Sequence, residues 1–194
     1  MDIRDVHIPP LGLAGTLRVP RPAYGLVVFV HGSGSSRLSP RNNAVAQALN
    51  RRGMATLLFD LLTADEEADQ ANVFDISLLA RRLVDVVHWV ERQPIAKTLP
   101  LGLFGASTGA AAAIVAAASL GGRVAAIVSR GGRPDLASAA LERVDAPTLL
   151  IVGSADYGSS SSTRTHSHGS KARRRWRSFT ARRICSPNPV RSRP

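Results

Sequence analysis

The sequence has 194 residues, of which 44% are hydrophobic, and its formal net charge at pH 7 is +11. This length predicts one domain with a substantial core. The single cysteine, Cys185, excludes an internal disulfide framework. Residues 1–21 lack the basic-then-apolar pattern of a secretory signal, so we expect a cytoplasmic location.

The positive charge is concentrated at one end of the chain. Residues 1–156 contain 15 lysines and arginines against 14 acidic residues, whereas residues 157–194 contain 10 basic residues and no acidic one. We therefore predict a near-neutral globular domain over 1–156. The basic, low-complexity tail over 157–194 is predicted to be disordered.

The apolar pattern over 1–152 predicts an edge hairpin followed by alternating strands and helices. In chain order we predict hairpin strands at 3–8 and 13–19, a strand at 24–30, a helix at 42–52, a strand at 55–59 and a helix at 75–92. A strand at 124–128, a short helix at 134–143 and a strand at 148–152 follow further along the chain. The acidic residues 65–69 predict a mobile loop. This alternation indicates a mostly parallel sheet with helices on both faces, and the short spacing of the last two strands leaves no room for a lid domain.

The stretch Leu101–Leu120 gives the first indication of chemistry. Its apolar start ends in Gly-Ala-Ser107-Thr-Gly, and a run of alanines follows. A serine at the apex of G-x-S-x-G, between a buried strand and a helix, is typical of a strained turn that lifts the hydroxyl out of the sheet. We predict that Ser107 is a nucleophile and that the Thr108 amide faces a developing oxyanion.

A membrane span is the alternative interpretation of this region, because no charge occurs from Thr98 to Gly122. The glycines and the Ser107–Thr108 pair divide the region into pieces shorter than the ~20 continuous apolar residues that a span needs. We favour a core segment and expect no membrane partner.

Further candidate groups follow other predicted strands, and ligands of such sheets bind at the carboxyl ends of the strands. Asp156 follows the strand at 148–152 and is predicted to orient a histidine base; a plain turn aspartate is the alternative. The sequence His31-Gly32-Ser33-Gly34 follows the strand at 24–30. There the Ser33 amide is the candidate second oxyanion donor, against an unspecialised glycine turn.

Together, His31-Gly-Ser-Gly, the Gly-Ala-Ser107-Thr-Gly turn and the strand ending in Gly-Ser-Ala-Asp156 resemble the α/β-hydrolase superfamily, in particular its dienelactone-hydrolase-like branch. The resemblance covers about residues 1–156. It implies the three-layer α/β-hydrolase fold and a small-molecule ester or lactone substrate cleaved through an acyl-enzyme, without a cofactor or metal. The residues expected to support the site's loops are His31, Gly32, Gly34, Gly105 and Gly109. Dienelactone hydrolases proper use a cysteine nucleophile, so Ser107 favours a carboxylesterase-like activity. Some relatives of this branch are joined to a phosphoribosyltransferase domain, which nothing in this sequence resembles.

The catalytic histidine is missing from its expected place. The fold orders its triad as serine, acid and histidine, with a helix and a strand between the last two. His166 and His168 follow Asp156 too closely for such an insert. His31 is expected to be structural, and His7 and His88 unreactive. We therefore predict that the last helix, strand and helix are missing and that the chain turns over little or no substrate.

Two hypotheses account for the tail. In the first, the reading frame shifts near Tyr157. The shifted frame permits an apolar strand and a histidine loop over 175–192, with the histidine codon straddling Arg183 and Ile184. In the second, the tail is genuine and binds nucleic acid or an anionic surface, for which Lys171–Arg177 is the best segment.

Overall fold

The computed structural model describes residues 1–153 and 176–181. Its centre is an eight-stranded sheet in the order β1-β2-β4-β3-β5-β6-β7-β8. The strands are β1 (Asp2–Ile8), β2 (Leu13–Val19), β3 (Gly25–Val30), β4 (Met54–Phe59), β5 (Leu101–Ala106), β6 (Val124–Arg130), β7 (Thr148–Gly153) and β8 (Trp176–Ala181). β2 pairs antiparallel with β1 and β4, and the remaining pairs are parallel.

Helices cover both faces of this sheet. They are α1 (Pro40–Asn50), α2 (Ala64–Glu67), α3 (Gln70–Phe74), α4 (Ile76–Glu91), α5 (Thr108–Leu120) and α6 (Ser138–Leu141), with 3₁₀ turns at Gly121–Arg123 and Pro134–Ala137. On one face Ala46 of α1 packs with Phe29, Leu58 and Phe104, and α4 and α5 join the larger core cluster on the other. Within the described ranges, no helix is long and apolar enough to cross a bilayer.

Helix α5 lies close to the sheet because its side chains are small. Ala110–Ala113 are 0% exposed, and Leu79 and Leu83 of α4 belong to the same cluster. A helix with almost no outward polar face must be buried, as the alanine run after Ser107 predicts. The α/β-hydrolase fold expected from the sequence is therefore confirmed, as are the edge hairpin and the alternation of strands and helices.

The acidic residues 65–69 are not simply a loop, because residues 65–67 belong to α2 and Asp69 is the N-cap of α3. Thr63 and Glu66 form a capping box at the start of α2, in which each side chain accepts the other residue's backbone N–H. The Asp69 side chain then accepts from the Ala71 amide and caps α3. Threonine followed three residues later by glutamate is the sequence signature of such a start, and the expectation of a loop overlooked it.

One further detail differs from the sequence-based expectation. We expected the last strand to be missing and the tail to lack structure, but Trp176–Ala181 form β8 beside β7, with Leu150 opposite Ser178. Tryptophan, phenylalanine and threonine favour strands, and the free edge of β7 offers unpaired backbone groups. The sheet therefore continues one strand past the predicted boundary at residue 156.

Candidate active site

Ser107 occupies a strained turn between β5 and α5. Its φ of 52° and ψ of −125° make it the one non-glycine residue with positive φ in the described part of the chain. Its amide donates to the Arg130 carbonyl at 3.4 Å, and its own carbonyl accepts from Ala110 at 3.1 Å. Ser107 is exposed while Ala106 and Thr108 are buried. Strain of this kind persists only where the surroundings impose it, and it is frequent at active sites.

Three glycines leave the space that this turn needs. A Cβ on Gly105 would lie 2.4 Å from Cα of Ala110, and one on Gly109 would lie 2.2 Å from the His31 carbonyl oxygen. A Cβ on Gly32 would lie 2.8 Å from Cβ of Ser107. The loop after β3 therefore packs directly against the candidate nucleophile.

We call residues 31–36, which follow β3, the oxyanion loop, after the role that the sequence predicts for the Ser33 amide. It turns at Gly34, whose φ is +65°, and the Ser35 amide donates to the Gly32 carbonyl at 3.2 Å. The Ser33 amide donates to Oγ1 of Thr108 at 3.0 Å. An oxyanion can thus reach the Ser33 amide only by displacing the Thr108 hydroxyl. The hydroxyl itself accepts this bond and keeps its own proton for donation.

His31 is fixed by two backbone groups. Its Nε2 accepts from the Leu61 amide at 3.1 Å, and its Nδ1 lies 3.1 Å from the Gly32 carbonyl oxygen. An Nε2 that accepts and an Nδ1 that donates define the neutral ring with its proton on Nδ1. His31 therefore ties the oxyanion loop to the end of β4.

The other two histidines of the described chain lie away from Ser107. His7 is on β1, which β2, β4 and β3 separate from β5 in the sheet. His88 is in the last turn of α4. A helix that connects parallel strands runs antiparallel to them, so its last turn lies at the opposite edge of the sheet from Ser107. Asp156, His166 and His168 fall outside the described residues.

Charged side chains at the ends of β4 and β6 are bound by partners that the sequence does not reveal. Asp60, at the end of β4, accepts from the Arg37 amide at 2.7 Å and forms an ion pair with the Arg37 guanidinium. Arg130, at the end of β6, donates to Oδ1 of Asn42 at 3.0 Å and lies 5.6 Å from the centre of the Phe104 ring. Burial, and then the charge of Arg41, lower the pKa of Arg130.

A small cavity adjoins the oxyanion loop. Its volume is about 20 Å³, and Gly32 and Ser33 form part of its wall together with the residues that follow β4 and with residues of α2, α3 and α4. A larger cavity of about 270 Å³ includes Leu26, Lys97 and Arg123. It lies at the amino ends of β3, β5 and β6, so it cannot receive a group bound to Ser107.

Several known proteins are similar to this chain in sequence or in fold. No family model matches the chain. Two curated proteins from *Mycobacterium tuberculosis* strains, provisionally named phosphoribosyl transferases, are 61% identical to it over 147 residues. That match covers 76% of this chain and 33% of each relative, so the chain spans about a third of their length.

Solved structures identify the family. An α/β hydrolase from a *Penicillium* species superposes with a TM-score of 0.73 over 94% of this chain and 90% of its own, and at 14% identity it shows the fold alone. The dienelactone hydrolase of *Anabaena variabilis* superposes with a TM-score of 0.80 and is 46% identical, over 93% of this chain and 82% of its own. Since that identity extends over most of both chains and the strand order and the Gly-Ala-Ser-Thr-Gly turn agree with the fold, this chain belongs to the dienelactone hydrolase family of α/β hydrolases.

Proposed function

We propose that Ser107 is the nucleophile of a serine hydrolase that cleaves a small carboxylic ester or lactone through an acyl-enzyme. The observation that carries this proposal is the strained, exposed backbone of Ser107 between buried neighbours. Ser107 Oγ attacks the acyl carbon, the carbonyl oxygen becomes an oxyanion, and the proton of the hydroxyl passes to a base.

The oxyanion is stabilised at the start of α5. The Thr108 amide is the first donor, since it belongs to the residue after the nucleophile and has no partner within its own helix. The second donor is the Ser33 amide after the Thr108 hydroxyl has moved away, or the Thr108 hydroxyl itself. The 3.0 Å distance between Ser33 N and Thr108 Oγ1 supports both routes. Because these two groups are in contact, either of them can donate to an oxyanion at that position.

We further propose that this chain turns over little substrate. Asp156 would orient a histidine, but His31 is fixed to two backbone groups and has no free nitrogen for Ser107. Of the other histidines, His7 and His88 in the described residues lie too far away, and His166 and His168 follow Asp156 too closely in sequence for the fold's usual order. A serine without its base loses several orders of magnitude in rate, while the oxyanion donors retain a residual effect.

Hydrolysis of 4-nitrophenyl acetate with added imidazole tests both proposals. Imidazole can replace a missing histidine base, so it should accelerate hydrolysis by the chain beyond its effect on Ser107→Ala. Without imidazole, the chain and Ser107→Ala should differ little. If the two proteins respond equally to imidazole, Ser107 is not the nucleophile; if the chain is fast without imidazole, the base is present after all.

The curated relatives are named for phosphoribosyl transfer, and the chain matches a third of their length. We assign the hydrolase function to the matched part because the described residues form the hydrolase fold, with the strained turn at Ser107 between β5 and α5.

A second candidate function is a non-catalytic protein whose basic tail binds nucleic acid or an anionic surface. The segregation of 10 basic residues and no acidic one into 157–194 favours it. Binding to a DNA duplex should then fall steeply as salt rises, and should disappear when residues 157–194 are neutralised by substitution. Ester hydrolysis should not depend on salt in this way.

A further inference from the structure

The larger cavity lies at the edge of the sheet opposite Ser107. Leu26 and Leu101 of its wall lie at the starts of β3 and β5, and Arg123 directly precedes β6. Ser107 follows the other end of β5, and six residues of strand span about 20 Å. At about 270 Å³ the cavity is close to the lower limit of about 300 Å³ for small-molecule pockets. It therefore has room for a small molecule that takes no part in the chemistry proposed at Ser107.

The inner wall of this cavity is apolar. Leu26, Val90 and Leu101 are 1%, 3% and 7% exposed, so they are fixed in the core. The partly buried side chains of Ala96 and Leu99 complete the wall. A hydrocarbon chain that enters the cavity removes its own surface and that of these side chains from water, which favours binding.

The outer wall is formed by residues 92–100, which connect α4 to β5 and are held by backbone hydrogen bonds. The Leu26 amide donates to the Pro100 carbonyl at 2.9 Å, which ties this connection to β3. The Leu99 amide donates to the Ala96 carbonyl at 3.2 Å. Because the wall is ordered before a ligand arrives, binding carries little cost for ordering the chain.

Three charged side chains stand at the mouth of the cavity, two positive and one negative. Lys97 is exposed, and no ion pair among the described residues includes it. Beyond those residues the sequence has one acidic side chain, Asp156. Arg123 and Glu91 form an ion pair with each other at 3.4 Å. Lys97 is therefore the cation that the mouth offers to a ligand.

The end of α4 also borders the mouth, and its carbonyl groups oppose the approach of an anion. Two of them are already occupied by Gln93. The Gln93 amide donates to the Val90 carbonyl at 2.9 Å, and its side-chain Nε2 donates to the Trp89 carbonyl at 3.2 Å. These bonds reduce the repulsion, so the charge of Lys97 decides the preference.

We propose that this cavity binds a small aliphatic carboxylate, with its hydrocarbon chain against Leu26, Val90 and Leu101 and its carboxylate beside Lys97. The carboxylate stays at the exposed mouth and keeps part of its hydration, while the chain is enclosed. This second site does not depend on the proposed function of Ser107.

Three compounds with the same six-carbon chain test the proposal: hexanoate, its uncharged amide hexanamide, and the cation hexylammonium. Each is titrated at pH 7 into the 194-residue chain carrying ¹³C-labelled leucine and valine methyl groups, and the methyl signals are followed by NMR. Hexanoate should shift the signals of Leu26, Val90 and Leu99. It should leave Leu61 and Leu62 unchanged, because they follow β4 at the opposite edge of the sheet.

Hexanoate should bind about fivefold more tightly than hexanamide, which is the effect of two opposite charges about 4 Å apart in water. Lys97→Gln should remove this preference and leave hexanamide binding unchanged. The control is Arg92→Gln, which removes one positive charge at an exposed residue outside the cavity wall and should retain the preference. Glu91→Gln should strengthen hexanoate binding, because it removes the negative charge at the mouth and releases Arg123.

The absence of shifts at the three methyl groups would overturn the proposal, and so would hexanoate binding no tighter than hexanamide binding. An equal effect of Lys97→Gln and Arg92→Gln would reduce the preference to general charge and also overturn it. Tighter binding of hexylammonium than hexanoate would overturn it by showing that the mouth selects cations. Ser107→Ala should bind hexanoate as the unmodified chain does, so a failure of the proposed nucleophile leaves this site unaffected.

Discussion

Replacing Gly109 by alanine should destabilise the domain by about 1–2 kcal/mol. The added Cβ would lie 2.2 Å from the His31 carbonyl oxygen and 2.3 Å from that of Val30. Both contacts are to backbone at the end of β3, so the start of α5 or the oxyanion loop must move by about 1 Å. Overpacking typically costs about 1–3 kcal/mol. The gain in helix propensity, about 0.5–1 kcal/mol, offsets part of that cost.

Urea unfolding followed by circular dichroism measures this effect as a lower midpoint with an unchanged slope. The matched control is Gly122→Ala, because a Cβ there meets nothing within 4 Å. We expect it to remain within about 0.5 kcal/mol of the unmodified chain. If Gly109→Ala were as stable as Gly122→Ala, the close approach of α5 to the oxyanion loop would be wrong.

Three further predictions concern the capping box, the oxyanion loop and the tail. The Thr63 backbone amide, and then Arg82, lower the pKa of Glu66 in the folded protein. The ionised carboxylate therefore stabilises the fold above its ordinary pKa near 4.5, and this stabilisation is lost as the pH falls through the lower pKa of the folded state. Glu66→Gln should therefore cost about 1 kcal/mol at pH 7 and almost nothing at pH 2, as measured by urea unfolding; an equal cost at both pH values would contradict this. Thr108→Val removes the acceptor of the Ser33 amide and should shift that amide's NMR signal and cost about 1 kcal/mol, whereas Thr108→Ser should do neither. The coding DNA after residue 157 should hold an open, apolar alternative frame with a histidine codon across positions 183 and 184, and stop codons in that frame would end the frameshift hypothesis.

Much of the turn at Ser107 could be predicted because its determinants are local. Gly105, Ser107 and Gly109 lie within five residues, between an apolar strand and an alanine-rich helix. Each of these features restricts the backbone independently, and the structure has the corresponding β5, positive φ and α5. Parallel strands then bring the oxyanion loop to the same edge of the sheet without further information.

The contacts that specify the rest of the site are long-range. The bond from Ser33 to Thr108 joins residues 75 positions apart, and the His31 ring accepts from an amide 30 residues later. Hydrophobic periodicity carries no signal for such pairs, so the sequence indicates the Ser33 amide as a candidate oxyanion donor and does not predict its bond to the Thr108 side chain. The α2–α3 segment was missed for a different reason: its composition is acidic, although the spacing of Thr63 and Glu66 signals a helix start.

The central claim is that the hydroxyl of Ser107 is the reactive nucleophile, and a fluorophosphonate probe tests it most directly. Because the chain is proposed to lack its histidine base, the probe is incubated with the chain and with Ser107→Ala in the presence of imidazole, and the modified peptide is identified by mass spectrometry. We predict an adduct on Ser107 in the chain and no comparable adduct in the variant. Equal labelling of the two proteins, or an adduct on Ser33 or Ser35 in place of Ser107, would contradict the account.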